Sequence, residues 1–272
     1  MPSRLSLAHG TLVHVPPPDL VRIAAEVGYE AVGLRLIPVG RPGEVQHALH
    51  LDPVALRETR RALDESGVRV WDVELLQIAP GIDPRAHLPA LEVAAGLGAR
   101  YAIVNVYDTD RARAADALGV LCDLVAPLGL TIALEFVSFS ALRTLADAAG
   151  MLEACGRANA AILVDTLHLH SSGEPLPALA PDGPDRFPYI HLCDGPRSVP
   201  AAAEDLRQIA REQRLLPGEG GIDLGGMLRR LPPGIFCAVE VHNPARAAAL
   251  GPLACARLAF ETTHRYVAAT RG

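Results

Sequence analysis

Eight short apolar runs, at residues 4–9, 30–37, 69–78, 101–107, 130–136, 161–167, 189–194 and 236–242, recur along the 272-residue chain. Between them, segments 18–28, 53–66, 84–98, 111–127, 141–156 and 245–269 carry Ala, Leu and Val at helical spacing with Arg, Asp and Glu interspersed. That is the pattern of amphipathic helices packed on a sheet. Several of the helical segments end in glycine just before the next run, at Gly28, Gly67, Gly98 and Gly129, where a residue without Cβ takes the left-handed cap cheaply. Alternation of strand and helix implies a parallel sheet, and eight such units imply closure into a single (β/α)8 TIM barrel, with its site at the C-terminal ends of the strands. An open doubly wound sheet is the alternative. It would want a Gly-rich phosphate turn after its first strand, and Ala8-His9-Gly10-Thr11 is not one. The length suits one domain spanning 1–272.

Charged or imidazole side chains stand at the ends of the last four runs: Glu135 after Thr-Ile-Ala-Leu, Asp165 after Ala-Ile-Leu-Val, His191 after Tyr-Ile, and Glu240 after Cys-Ala-Val. An unpaired charge at a strand terminus is expensive to bury unless it meets a metal or a partner. On a barrel these four positions converge on one pocket. Three carboxylates and one imidazole make a hard, mostly oxygen site for one divalent metal ion, Mn²⁺, Mg²⁺ or Co²⁺, with Zn²⁺ as a further candidate. Glu74 and Asn105, on the third and fourth strands, face either that pocket, as substrate-binding residues, or its rim. His9 and His14 are candidates for the floor or mouth, and His170, Asp194 and His242 for partners that orient the ligands. The single Trp71 is read as packing. Gly218-Glu219-Gly220-Gly221 is either a tight turn near the metal or a phosphate-binding loop, and alone is a weak signal.

A formal charge of −6 argues against a nucleic-acid partner and for a small-molecule substrate. Five cysteines, at 122, 155, 193, 237 and 255, show neither zinc-knuckle nor disulfide spacing, which points to reduced thiols and a cytoplasmic protein. No stretch approaches eighteen uncharged apolar residues, so no membrane span is expected. The stretches 171–188 and 195–221 follow strands bearing candidate ligands and are read as loops over the active site.

The motifs Leu134-Glu135, Val164-Asp165-Thr166-Leu167-His168, Ile190-His191-Leu192-Cys193-Asp194, Pro217-Gly218-Glu219-Gly220 and Val239-Glu240 together resemble the xylose isomerase-like TIM-barrel superfamily. Within it, the chain is similar to the sugar isomerase/epimerase branch that holds the ketose 3-epimerases and inosose dehydratases. The resemblance runs through most of the chain, with its specific motifs between about residues 130 and 243. It implies a metal held by Glu135, Asp165, His191 and Glu240, with Glu135 and Glu240 as the paired acid/base residues. It also implies substrate binding by His168, three residues after the metal Asp, and by Arg197, six after the metal His. The ketose 3-epimerases carry another Glu six residues after their strand-five ligand, and here that position is Ala141. The implied activity is isomerisation or epimerisation of a small sugar-like or cyclitol-like hydroxycarbonyl compound through an enediolate. The alternatives are an inosose- or 3-dehydroshikimate-type dehydratase, then an apurinic endonuclease-like protein or a non-catalytic sugar-binding barrel. Homo-oligomers recur on the scaffold, and no decisive apolar stripe points to one.

Overall fold

The computed structural model describes residues 4–40, 44–179 and 186–271. Eight parallel strands close on themselves in sequence order. They are β1 (Leu5–Leu7), β2 (Ala31–Arg35), β3 (Arg69–Ile78), β4 (Tyr101–Val106), β5 (Thr131–Glu135), β6 (Ala160–Asp165), β7 (Tyr189–Leu192) and β8 (Phe236–Val239). Helices α1 (Pro17–Val27), α2 (Pro53–Ser66), α3 (Leu88–Gly96), α4 (Arg111–Val125), α5 (Leu145–Cys155), α6 (Thr166–Ser172), α7 (Ala203–Glu212), α8 (Leu224–Arg230), α9 (Pro244–Leu250) and α10 (Pro252–Arg271) lie between and after them. The barrel is closed by β1 pairing with β8, Leu7 standing opposite Val239. None of the described helices is long and apolar enough to cross a membrane.

The glycine punctuation acts as local sterics require. Gly28 and Gly67 sit at φ 104° and 71° and donate their N–H to the carbonyls of Ala24 and Leu63, closing α1 and α2. Three differences from the sequence pattern have local causes. Residues 166 and 167 belong to α6, not to the sixth strand, because the Asp165 carboxylate accepts the N–H groups of Leu167 and His168 and starts a helix there. The stretch 195–221 is not all loop: α7 forms within it, burying Leu206 and Ala210 one turn apart, a stripe too short to stand out by periodicity. The last helical segment is divided at Gly251 into α9 and α10. Of the 171–188 stretch, residues 180–185 lie outside the described residues.

Two cores result. Between sheet and helices lies a continuous aliphatic layer including Leu7, Leu34, Leu76, Val104, Leu134 and Val164. The lumen is filled by a smaller cluster in which Ala8, Ala31, Ala133 and Ala238 leave room for Trp71, Tyr189 and Phe236. Trp71 stacks on Phe236 at 3.9 Å between centroids and meets Tyr189 edge-on. This is the packing role expected of the lone tryptophan, and it plugs the barrel beneath the mouth. All five cysteines are buried free thiols. Because the alanines opposite cannot collapse into the gap, Trp71→Ala should lower unfolding stability by about 3–5 kcal/mol, read as a drop in urea midpoint by far-UV circular dichroism. A loss below about 1 kcal/mol would mean that the plug carries little of the fold's stability.

Candidate metal centre

The strand register sets four side chains at one height. Asp165 on β6 stands opposite His191 on β7, with Glu135 at the end of β5 and Glu240 one residue past β8. One ligand atom from each lies within 4.8 Å of the others, and all four residues are buried. Two oxygens bound to one ion at 2.0–2.6 Å are at most about 5 Å apart, so the cluster fits a single divalent cation. His191 turns Nδ1 toward the carboxylates, 3.2 Å from Glu240 Oε2 and 3.8 Å from Glu135 Oε1, while its buried Nε2 has no partner.

The surroundings hold this arrangement in place. Asp165 Oδ1 is taken by the cap of α6, and Oδ2 accepts from Arg214 Nη1 at 2.5 Å. Arg214 also lies 3.0 Å from Glu240 Oε2 and donates Nε–H to the Ala210 carbonyl at 2.8 Å. Asn105 donates to Glu135 Oε2 at 2.8 Å. Gly10 is a matter of space: a Cβ there would come within 2.4 Å of Glu240 Oε1. Gly33 likewise leaves room for Asp72, whose Oδ1 would be 2.5 Å from a Cβ.

Electrostatics follow from crowding in a dry site. Burial, with the Asp165 and Glu240 charges, raises the Glu135 pKa to about 8, against His191 and the Asn105 hydrogen bond. Burial opposes a charged His191, but Glu240, Glu135 and Asp72 outweigh it and lift its pKa to about 10. Burial also works against ionised Glu240, yet Arg214 and His191 hold that carboxyl well below the usual range. Burial lowers the His168 pKa to about 4, keeping the ring neutral. Its Nδ1 lies 3.2 Å from Ser138 Oγ and 3.5 Å from the Ser138 N–H, which leaves Nε2–H as a donor. Asp72, buried with one oxygen unpartnered, has its pKa raised to about 7, chiefly by burial.

The sequence-derived candidates divide clearly. Glu74, Asn105, Glu135, His168 and Glu240 line one pocket at the mouth, together with Arg35, Tyr107, Phe139, Arg211, Arg214 and His242. Arg197 does not line it: its side chain is exposed, and its carbonyl accepts from His170 Nε2 at 3.2 Å. Arg197 stands in the loop between β7 and α7, and the chain returns to the mouth only beyond α7, with Arg214. His170 is occupied by that rim contact. His9 is fully buried; its Nδ1 accepts the Arg35 N–H and its Nε2 donates to the Val15 carbonyl. His14 lines a separate apolar cavity of about 430 Å³ between the β1 loop and α9. Asp194 orders a loop and touches none of the four ligands through its carboxylate: the carboxylate accepts the N–H groups of Gly195, Gly218, Gly220 and Ile222. Two of those amides belong to the Gly-rich stretch, which is therefore a turn wrapped on Asp194. A Cβ at Gly220 would strike the Gly195 carbonyl at 2.1 Å. Arg35, Asp72, Arg211 and Arg214 were not anticipated. Arg35 and Asp72 carry the same signal as Glu135, a charge inside an apolar run; Arg211 and Arg214 have no such mark.

A closed parallel barrel with a carboxylate–histidine cluster at its C-terminal mouth defines a (β/α)8 protein with a candidate cation site. The family model described as xylose isomerase-like TIM barrel matches residues 21–255, and the chain belongs to that family. An inosose isomerase of Bacillus velezensis is 30% identical over 170 residues, covering 57% of this chain and 58% of that protein, so the match spans somewhat over half of the curated relative's length. A structure of IolI protein with a bound zinc atom superimposes with a TM-score of 0.82 at 19% identity, covering 98% of this chain and 99% of that one. A 3-keto-D-glucoside 4-epimerase from E. coli superimposes at 0.68 with 18% identity, covering 96% and 99%. At these identities the two superpositions establish a shared fold.

Two predictions follow from the crowding. Ligation needs neutral His191 and ionised Glu135, and both hold protons at neutral pH, so metal uptake should release up to about two protons and tighten as pH rises toward 8. Calorimetry at pH 7 in buffers of different ionisation enthalpy measures this, and a buffer-independent heat would contradict it. Gly10→Ala should displace Glu240 and weaken metal retention roughly 10-fold or more, read by metal analysis after dialysis.

Proposed function

We propose that this protein is a divalent-metal-dependent isomerase or epimerase of a small polyhydroxylated carbonyl compound, sugar-like or cyclitol-like. The observation that carries the reading is the convergence of Glu135, Asp165, His191 and Glu240 within 4.8 Å at the mouth of the barrel. The inosose isomerase relative and the epimerase with the same fold support it. So does the zinc atom of the IolI structure as to a metal, with the identity of the ion here left to Mn²⁺, Mg²⁺, Co²⁺ or Zn²⁺.

A divalent ion held by these four residues would supply Lewis acidity toward adjacent carbonyl and hydroxyl oxygens, making the neighbouring C–H more acidic. The rest falls to the chain's own groups. One of Glu135 and Glu240, as carboxylate, takes the proton from that carbon while the C–H electron pair moves toward the carbonyl and gives an enediolate. The other, after taking up a proton from solvent at the mouth, returns it to the opposite face, which inverts the centre, and the first then gives its proton to solvent. Asn105 holds Glu135 by its Oε2, and Arg214 pairs with Asp165 and Glu240 and favours the ionised form of Glu240. Neutral His168 donates Nε2–H to a substrate oxygen, and Glu74 and Asn105 face the bound compound from β3 and β4. If the same enediolate expels a β-hydroxyl, the outcome is dehydration, as in an inosose or 3-dehydroshikimate dehydratase.

The first experiment is the metal content of wild type beside Glu135→Ala and His191→Ala after loading with Mn²⁺ and removal of excess. About one ion retained by wild type and lost by both variants is expected, and none retained by wild type would end the enzyme reading. Ketoses, inososes and 3-dehydroshikimate are then screened in ²H₂O. Mass gain by deuterium marks epimerisation, and loss of water marks dehydration. Glu240→Gln should lower turnover by about 10²–10⁴-fold; wild-type turnover in that variant would refute the acid/base assignment.

A further inference from the structure

Three guanidinium groups, of Arg35, Arg211 and Arg214, line the mouth of the site, and their pairing is unequal. Arg214 is consumed by Asp165 and Glu240. Arg35, with only 11% of its side chain exposed, spends Nη2 on Glu74 at 3.0 Å, while its buried Nε has no partner. Arg211, on the pocket side of α7, forms no ion pair among the described residues, and its Nε is likewise buried and unpartnered. It lies over the Phe139 ring at 5.6 Å, beside Arg207, whose own charge is met by Glu204. Buried donors of this kind are costly to leave unsatisfied. Burial depresses the Arg211 pKa, and the charges of Arg207 and Arg35 add to this against Tyr107 and Glu204. A negative charge placed between Arg35 and Arg211 would relieve both.

We infer that the substrate is anionic: a hydroxycarbonyl compound bearing a carboxylate, or a group of like charge, that is received by Arg211 on α7 and by Arg35 at the end of β2, at the rim of the pocket away from the reacting carbon. This deepens the function proposed above and rests on it. Arg211 is a specificity-determining residue on this reading. Its planar fork, backed by Phe139, suits a carboxylate bound through two oxygens.

The test compares two ring probes of similar size, the neutral 2-inosose and the carboxylated 3-dehydroshikimate, by calorimetric titration into Mn²⁺-loaded protein. Wild type should bind the carboxylated ring about tenfold or more tightly than the neutral one, and in Arg211→Gln the ratio of the two dissociation constants should collapse to within about twofold. Equal affinities in wild type, or a preference that survives in Arg211→Gln, would overturn the inference. If neither ring binds, inorganic phosphate titrated at constant ionic strength decides. A Tm rise in wild type that is lost in Arg211→Gln supports an anion subsite, and equal shifts in both proteins refute it. Each readout is equilibrium binding or stability, so a failed anion site is distinguished from a failed enzyme, which the metal analysis and turnover assays report.

Discussion

Mutual repulsion among Glu135, Asp165 and Glu240, gathered in a space where water cannot screen them, is the constraint to which the mouth of this barrel answers. Arg214 is placed against two of the three carboxylates, with its Nε anchored on the Ala210 carbonyl at the end of α7. Burial and the neighbouring charges favour a proton on His191, between Glu240 and Glu135, and one on Glu135. The protein thus stores in protons and a guanidinium the positive charge that a divalent cation would bring. On the proposed function, exchange of those protons for the ion would make the site responsive to both pH and metal.

The framework that holds these charges is stiff because it is made from strand ends. Each ligand is fixed by its strand's register, and the lumen below is closed by Trp71 on Phe236, so the site has a dry apolar floor. Space is defined as carefully as contact. Gly10 gives Glu240 its position, Gly33 accommodates Asp72, and Asp194 gathers four backbone N–H groups to fix the loop after β7. The Gly-rich turn spends two amides on that carboxylate and two on the Leu216 and Gly195 carbonyls. Anion recognition at this site accordingly falls to side chains, and the guanidiniums at the rim are the groups with donors to spare.

Much was legible in the chain itself. Eight apolar runs with amphipathic segments between them admit few solutions other than a closed parallel sheet, since each helix must bury one face and each strand two. The four candidate ligand positions needed only the rule that strand ends converge, and the structure gathers the side chains found there. Spacing along the chain does not say where a side chain's contacts go. Arg197, six residues after His191, is exposed on the rim and outside the lining of the pocket. Asp194, His170 and His9 are near strand ends, yet their hydrogen bonds go to backbone or rim groups and not to the four ligands.

The sequence by itself determined the period of the elements, the barrel they close into, and which residues stand at its mouth, because these follow from local propensity and from hydrophobic patterning repeated eight times. Only the tertiary structure decided which of those residues meet, which donors are already spent and which remain. Arg214 and Arg211 come from a helix and loop with no distinctive pattern, and their roles depend on distances across the mouth between segments far apart in sequence. Periodicity carries no information about such distances, because they are fixed by how the whole barrel closes.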